Sequence, residues 1–192
     1  VQSYYSLCPK SHKLTRKGMY ELIQWQRSNG VIYSPIPTSN YVTELPGQML
    51  ASIGEFGFWN YFLYTGDIEP IRDLYDGIGK YLAVWEKENN GILRFRSGEW
   101  TWGDWGTNID IQGIFNAWYY IALKGRLQMA NVLNKTEDAI AITKEMDALK
   151  IAFNLYFWNN NAYHTPSYQG ETDDRLQALA VLSGLADPDK YP

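Results

Sequence analysis

Six apolar segments of two alternating kinds run along the chain, and this alternation restricts its fold more than any other feature of the sequence. In the first, third and fifth segments, the apolar residues repeat at helical spacing along a single face. In the second, fourth and sixth segments, they surround the helix axis, so these helices should be buried on most sides. The predicted helices lie, in chain order, at 14–27, 48–64, 71–85, 110–133, 139–156 and 173–185.

Alternation of one-sided and fully apolar helices is typical of an α/α toroid, in which each outer helix covers an inner one. We therefore predict an all-α fold of alternating outer and inner antiparallel helical hairpins. The chain begins and ends within this pattern, so residues 1–192 are expected to be a single segment of a larger domain, truncated at both ends.

Antiparallel hairpins would bring all the connections from an outer to an inner helix to one end of the ring. Each of these connections contains carboxylates, amides and aromatic residues; they lie at 41–48, 102–110 and 168–175. The joints from an inner to an outer helix, 65–70 and 134–138, are shorter and contain no tryptophan. We therefore expect the functional residues at the end that carries the longer connections.

Turn residues support the predicted helix boundaries. Gly66 can adopt the left-handed conformation that ends an inner helix, and Asp67 can cap the helix that follows. Residues 136–138, Thr-Glu-Asp, are expected to cap the fifth helix and to place negative charge at its N-terminus, where the helix dipole favours it.

Three tryptophans lie at and just before the start of the second long connection, where residues 100–106 read Trp-Thr-Trp-Gly-Asp-Trp-Gly. Indole faces pack on the C–H faces of a pyranose, a carboxylate accepts hydrogen bonds from sugar hydroxyls, and glycines admit a ligand close to the backbone. We therefore predict a carbohydrate-binding wall with Trp102, Asp104 and Trp105 as contact residues. A tryptophan-lined packing turn is the alternative, because large aromatic residues are usually part of a core.

Four further polar residues in the long connections are weaker candidates for contacts with sugar hydroxyls. Asp110 and Asp173 stand at predicted helix starts, where capping and the helix dipole explain an acidic residue equally well. Glu44 and Gln48 flank the start of the first inner helix, and an ordinary loop position is the alternative for Glu44.

Charge and residue usage exclude several classes of partner. A net charge of −4 leaves no electrostatic footprint for nucleic acid or an anionic membrane surface, and no stretch is long and apolar enough for a membrane span. Cys8, the single cysteine, can form neither an internal disulfide nor a cysteine-based metal site. His12 and His164 lack the spacing of metal ligands. We therefore expect no nucleic acid, no membrane, no metal and no cofactor.

Seven runs of residues, in order and over nearly the whole chain, resemble the six-hairpin catalytic domain of bacterial α-L-rhamnosidases. These runs lie at 30–37, 44–48, 58–67, 102–106, 116–120, 152–158 and 177–180. The Gly-Asp-Trp element at 103–105 and the Tyr-Thr-Gly-Asp joint at 64–67 are the more specific parts. The resemblance implies an (α/α)₆ toroid, of which the three hairpins of this chain supply about half.

The resemblance also implies an activity, the hydrolysis of terminal α-L-rhamnosides with inversion at the anomeric carbon. Such enzymes pair a carboxylic acid, which protonates the leaving oxygen, with a carboxylate that activates water. The family carries both on loops that have no match in this chain, so the catalytic residues are expected outside it and the segment alone should be inactive. Trp105 would pack on the apolar face and C-methyl group of the sugar, while Asp104 would orient hydroxyls or Trp105 itself.

Half a toroid would leave inner helices uncovered at its open edges, so we expect self-association or occurrence only within a larger protein. By resemblance, that protein would act on a rhamnose-containing glycan or glycoside in the periplasm or outside the cell. Two other classes of function stay open. One is another toroidal glycosidase or a polysaccharide lyase, and the other is a noncatalytic helical protein that binds a glycan or a protein.

Overall fold

The computed structural model describes residues 8, 10–36, 43–96, 100–101, 103–186 and 189. In these ranges the chain forms helices and loops, with two isolated antiparallel bridges, Lys87 to Leu93 and Trp158 to Tyr163. None of these helices is both long and apolar enough to cross a bilayer. The α-helices are α1 (His12–Gln24), α2 (Pro46–Ile53), α3 (Asn60–Thr65), α4 (Glu69–Leu82), α5 (Ile111–Val132), α6 (Thr136–Phe157) and α7 (Asp174–Ser183). The prediction of an all-α fold is confirmed.

The predicted helix at 48–64 is divided into α2 and α3 by a π-helical turn over Glu55–Trp59. Gly54 precedes this turn and lies so close to α5 that a Cβ atom on it would come within 2.6 Å of the Ala122 Cα. A Cβ atom on Gly125 would in turn come within 2.4 Å of the backbone nitrogen of Glu55. The two glycines therefore let two backbones touch where the π turn begins.

Helix α5 is the centre of the bundle, as an inner helix should be. It packs against α2, α4, α6 and α7, and its buried residues include Ile114, Ala117 and Ile121. Helix α4 buries one face only, with Ile71 and Ile78 fully buried. This contrast confirms the predicted inner and outer roles of the two helices.

Helix α7 is less buried than the sequence predicts, since burial on most sides was expected. Leu176 and Ala180 are fully buried, but Val181 and Leu182 are each 57% exposed. Among the described residues, α7 packs mainly against α5 on one side. An apolar pattern does not show whether a neighbouring element covers each side chain. The prediction of burial on most sides is therefore wrong for this helix in the described part of the chain.

Side-chain contacts show which helix ends lie together. Trp85, just after α4, meets the ring of Phe115 in the second turn of α5, with ring centroids 5.6 Å apart. Tyr81, in the last turn of α4, donates a hydrogen bond to Glu44, which lies just before α2. The starts of α2 and α5 therefore lie at the end where α4 stops, as antiparallel hairpins require. We call this end of the bundle, marked by Glu44, Asp110 and Asp173, the connection rim.

The joints at the opposite end agree in part with the predicted caps. Gly66 ends α3 in the left-handed conformation, with a φ of 68°, and the amide of Glu69 donates to Asp67 Oδ1 at 3.2 Å. Lys135 occupies the N-cap position of α6 and Thr136 is the first residue of the helix, so the predicted role of Thr136 as a cap is wrong. Glu137 and Asp138 lie in the first turn of α6, where the helix dipole favours acidic residues.

Candidate functional site

Trp105 presents its indole to solvent from a backbone that is held on both sides. The residue is 85% exposed. Its amide donates to Asp104 Oδ1 at 2.8 Å, and its carbonyl accepts from Arg175 Nη1 at 2.9 Å. A large apolar side chain held in water on a fixed backbone is typical of a binding surface rather than of a core turn. The alternative of a packing turn therefore does not fit Trp105.

Asp104 takes part in this arrangement through its backbone and its side chain. Its φ of 109° lies in the left-handed region that favours glycine, and the residue is exposed. The carboxylate folds back on the amide of Trp105. This hydrogen bond fits the predicted role of Asp104 in orienting Trp105, and its contact with sugar hydroxyls stays a prediction.

Arg175 connects the loop of Trp105 to the start of α7. Its Nε donates to Asp173 Oδ1 at 2.7 Å, its Nη1 reaches the Trp105 carbonyl, and its Nη2 reaches the Asn108 carbonyl. The sequence analysis missed this residue. A signal was present in the third long connection, where an arginine follows two aspartates at a helix start.

Asp110 and Asp173 are both 2% exposed and cap α5 and α7, respectively. Asp110 Oδ1 accepts from the Gly113 amide at 3.4 Å and from the Thr165 hydroxyl, while Oδ2 accepts from the Thr165 amide at 2.6 Å. Asp173 Oδ1 accepts from the Arg175 amide at 3.0 Å, and Oδ2 accepts from the Asp110 amide at 2.8 Å. Their capping role is confirmed. Contact with a sugar stays a prediction for both, and their oxygens are already occupied by donors of the protein.

Glu44 is a buried member of an ion pair rather than an ordinary loop residue. It is 4% exposed and receives both arms of the Arg96 guanidinium, at 2.6 Å and 2.5 Å. Tyr81 donates to its Oε1 at 2.8 Å. Burial, and then the neighbouring Glu44 carboxylate, raise the pKa of Tyr81 well above its ordinary value, so the hydroxyl keeps its proton. Gln48 lies half-buried near the start of α2.

The predicted residues at the connection rim differ in what holds them and in their exposure to solvent. Arg175 links Asp173 to the backbone of Trp105, while Arg96, with its guanidinium 5.3 Å from the centre of the Trp85 ring, links Glu44 to the core. Of the predicted residues that the structure describes, Asp104 and Trp105 are the exposed ones. Trp102 lies outside the described residues.

Other exposed aromatic residues accompany Trp105 along the same stretch of chain. Phe95 is 48% exposed and Trp100 is 59% exposed. A groove of about 570 Å³ lies elsewhere, between the end of α5 and the start of α6, and it is lined by residues that include Leu127, Lys135 and Ile140. None of its described lining residues is aromatic. The Trp105 loop therefore offers a stacking surface that this groove lacks, and it is the better candidate for binding a sugar.

Comparisons with known proteins give a family and a fold for the chain. Residues 4–191 match the model of a family described as the bacterial alpha-L-rhamnosidase 6 hairpin glycosidase domain. No curated protein sequence matches the chain.

Three solved structures share the fold. A rhamnosidase from Klebsiella oxytoca with rhamnose bound has a TM-score of 0.78 and 17% identity, over 94% of this chain and 36% of that one. An alpha-L-rhamnosidase from Dictyoglumus thermophilum has a TM-score of 0.71 and 24% identity, over 92% of this chain and 20% of that one. A GH78 family rhamnosidase of Bacillus sp. GL1 has a TM-score of 0.82 and 17% identity, over 94% of this chain and 20% of that one. The chain therefore corresponds to between a fifth and about a third of these proteins, and its architecture is that of helical hairpins in a six-hairpin domain.

Proposed function

The chain belongs to the family of bacterial α-L-rhamnosidase six-hairpin glycosidase domains, and from this premise we propose that it forms part of the sugar-binding site of an α-L-rhamnosidase. The observation that carries the proposal is the exposed indole of Trp105 on a loop fixed to the connection rim. A structurally similar rhamnosidase was solved with rhamnose bound, which supports a carbohydrate as the ligand class.

Trp105 packs on the apolar face and the C-methyl group of the rhamnosyl unit. A 6-deoxy sugar has a larger apolar surface than an ordinary hexose, since a methyl group replaces a hydroxymethyl group. An indole in this position removes apolar area of both partners from water, and this burial favours binding. Asp104 accepts the 2.8 Å hydrogen bond from the Trp105 amide and so holds the peptide that carries the indole.

The full-length protein hydrolyses terminal α-L-rhamnosides with inversion, with an acid and a base contributed by segments outside this chain. In an inverting pair the two carboxyl groups lie roughly 6.5–9.5 Å apart, with room for the attacking water between them. The buried carboxylates of the connection rim are poorly suited to this task. Glu44 is held by Arg96, and Asp110 and Asp173 accept hydrogen bonds from the protein backbone.

Hydrolysis of a panel of aryl glycosides by the full-length protein tests the activity, with proton NMR to identify the anomer released first. We expect the α-L-rhamnoside to be the preferred substrate and the product to be the β-anomer. Trp105→Ala should raise KM up to about tenfold with a smaller change in kcat, because stacking serves substrate and transition state alike. Tyr64→Ala is the matched control, since Tyr64 is an aromatic residue 62% exposed near the end of α3, away from the connection rim.

Each rival function gives a different result in the same experiment. Preferential cleavage of another glycoside, or an unsaturated product, would reassign the protein to another toroidal glycosidase or to a lyase. Sugar binding without cleavage of any glycoside would favour the noncatalytic alternative. The isolated chain should release no aryl alcohol, and turnover by it would contradict the placement of the acid and the base outside these residues.

A further inference from the structure

The guanidinium of Arg175 uses all three of its nitrogen atoms on groups that fix one loop. Nε binds the Asp173 carboxylate at 2.7 Å, Nη1 binds the Trp105 carbonyl at 2.9 Å, and Nη2 binds the Asn108 carbonyl. Trp105 and Asn108 lie on the loop before α5, whereas Arg175 lies in the first turn of α7. One side chain therefore fastens the loop to a helix about seventy residues further along the chain.

The carboxylate on which Arg175 rests is itself fixed by two helix starts. The Asp173 side chain is 1% exposed, caps α7 and accepts a hydrogen bond from the amide of Asp110 at the start of α5. The side chain of Arg175 remains 26% exposed, so the guanidinium spans from the buried carboxylate to the surface loop. The position of the loop is thus set by the inner helices rather than by the loop itself.

Gly106 leaves the room that the guanidinium needs. Its φ of 137° is one that side chains other than glycine rarely adopt, and a Cβ atom on it would lie 3.1 Å from Arg175 Nη1. A side chain at this position would press on the guanidinium, which would have to shift by a few tenths of an ångström. Gly106 therefore gives Arg175 its room beside the Trp105 carbonyl.

We propose that Arg175 is a positioning residue that holds the Trp105 indole in its sugar-binding orientation before the sugar arrives. The proposal rests on the function proposed above for Trp105. A loop that is already ordered spares the binding step the loss of conformational freedom, and this gain appears as affinity. Lysine could not replace the arginine, because an ammonium group lacks the planar fork that reaches a carboxylate and two carbonyls at once.

The test uses the full-length protein labelled with fluorotryptophan, with L-rhamnose as the ligand and fluorine NMR as the readout. Trp105→Phe assigns the resonance of Trp105. In Arg175→Met we expect this resonance to shift or broaden in the protein without ligand. The Kd for L-rhamnose should rise about tenfold. With an aryl rhamnoside as substrate, the increase in KM should be larger than the decrease in kcat. Gly106→Ala should act in the same direction, and it replaces Arg175→Met if the latter fails to fold.

Arg16→Met is the matched control, because Arg16 likewise binds two carboxylates, Asp67 and Glu69, but lies away from the connection rim. It should leave the Trp105 resonance and the Kd unchanged. The proposal is overturned if Arg175→Met and Gly106→Ala leave either the resonance or the Kd unchanged while Trp105→Ala weakens rhamnose binding. If Trp105→Ala itself leaves the Kd unchanged, the proposed function fails first, and the inference about Arg175 falls with it.

Discussion

The carboxylate of Asp173 accepts a hydrogen bond from the backbone amide of Asp110 at 2.8 Å, so the cap of one inner helix also holds the start of another. Asp110 in turn binds the amide of Thr165 at 2.6 Å. The start of α5 and the stretch from Thr165 to Asp173, which are distant along the chain, therefore meet at two buried acids, and this junction supports the loop that carries Trp105.

Replacement of Asp173 should destabilise the fold through this junction. Asp173→Asn removes the charge that accepts hydrogen bonds from the Asp110 amide and from Arg175 and introduces two donors where the protein already donates. We expect the free energy of unfolding to fall by about 2 kcal/mol in urea denaturation. Asp174→Asn is the control, since Asp174 is an exposed neighbour in the first turn of α7. If both variants changed the free energy of unfolding equally, the hydrogen bonds of the junction would contribute nothing to stability.

The buried pair of Glu44 and Arg96 should be far more sensitive than an exposed pair. Glu44→Gln leaves the guanidinium of Arg96 without its counter-charge, and we expect a loss of about 3 kcal/mol in the free energy of unfolding. Glu86→Gln, which breaks the exposed pair with Arg94, should cost about 0.5 kcal/mol or less. A small effect of Glu44→Gln, comparable to that of Glu86→Gln, would show that water solvates Arg96 in the variant.

Stability should depend on Asp67 in acid. Burial opposes the ionised form, but hydrogen bonds from Tyr61, the Glu69 amide and Arg16 outweigh it and lower the pKa of Asp67 below its ordinary value of 3.8. A lowered pKa in the folded state means that this stabilisation is present above about pH 4 and is lost as the pH falls through the folded value.

Urea denaturation of Asp67→Asn at several pH values measures this contribution. The variant should be less stable than the unsubstituted protein above about pH 4, and the difference should shrink as the pH falls through the pKa of Asp67 in the folded state. Asp76→Asn, at an exposed position of α4, is the control and should show no such convergence. A constant difference across the range would contradict the lowered pKa.

Besides the uncovered inner helices, an apolar stripe on α6, an outer helix in the predicted order, should promote self-association of the isolated chain. Ile140, Ile151 and Leu155 are 66%, 63% and 80% exposed, and their spacing places them along one face of the helix. We expect sedimentation velocity to show oligomers at micromolar concentration, and the double substitution Ile151→Lys and Leu155→Lys to shift the chain toward monomer. Leu14→Lys, at a 71% exposed position of α1, should not. If the isolated chain without substitutions were monomeric at this concentration, the prediction would be wrong.

The helices could be predicted because their signals are local. The one-sided apolar spacing of α4 and the apolar surroundings of α5 follow directly from residues a few positions apart. The Trp105 loop stood out in the sequence because three indoles beside a carboxylate form an unusual local cluster, and its contact with a sugar stays a prediction.

What the sequence left open depends on contacts between distant residues. Arg175 meets Trp105 across 70 positions, and Arg96 meets Glu44 across 52, so no local pattern connects either pair. The same reason explains α7, whose apolar residues did not reveal that Val181 and Leu182 would face solvent in the described structure. Local periodicity therefore fixed the elements, while the junctions between them required coordinates.

The π turn after Gly54 explains how α2 and α3 keep one continuous core-facing side. Ile53 and Phe58 are both buried although Phe58 lies five positions after Ile53. That spacing would set the two side chains about 140° apart around a regular helix. The wider turn absorbs the additional residue and returns Phe58, and then Tyr61, to the side that Leu50 and Ile53 occupy. A homologue with one residue fewer between these positions would thus be able to bury the same side chains from an unbroken helix. A one-residue gap here in a sequence alignment would then leave the core-facing side of the helix intact.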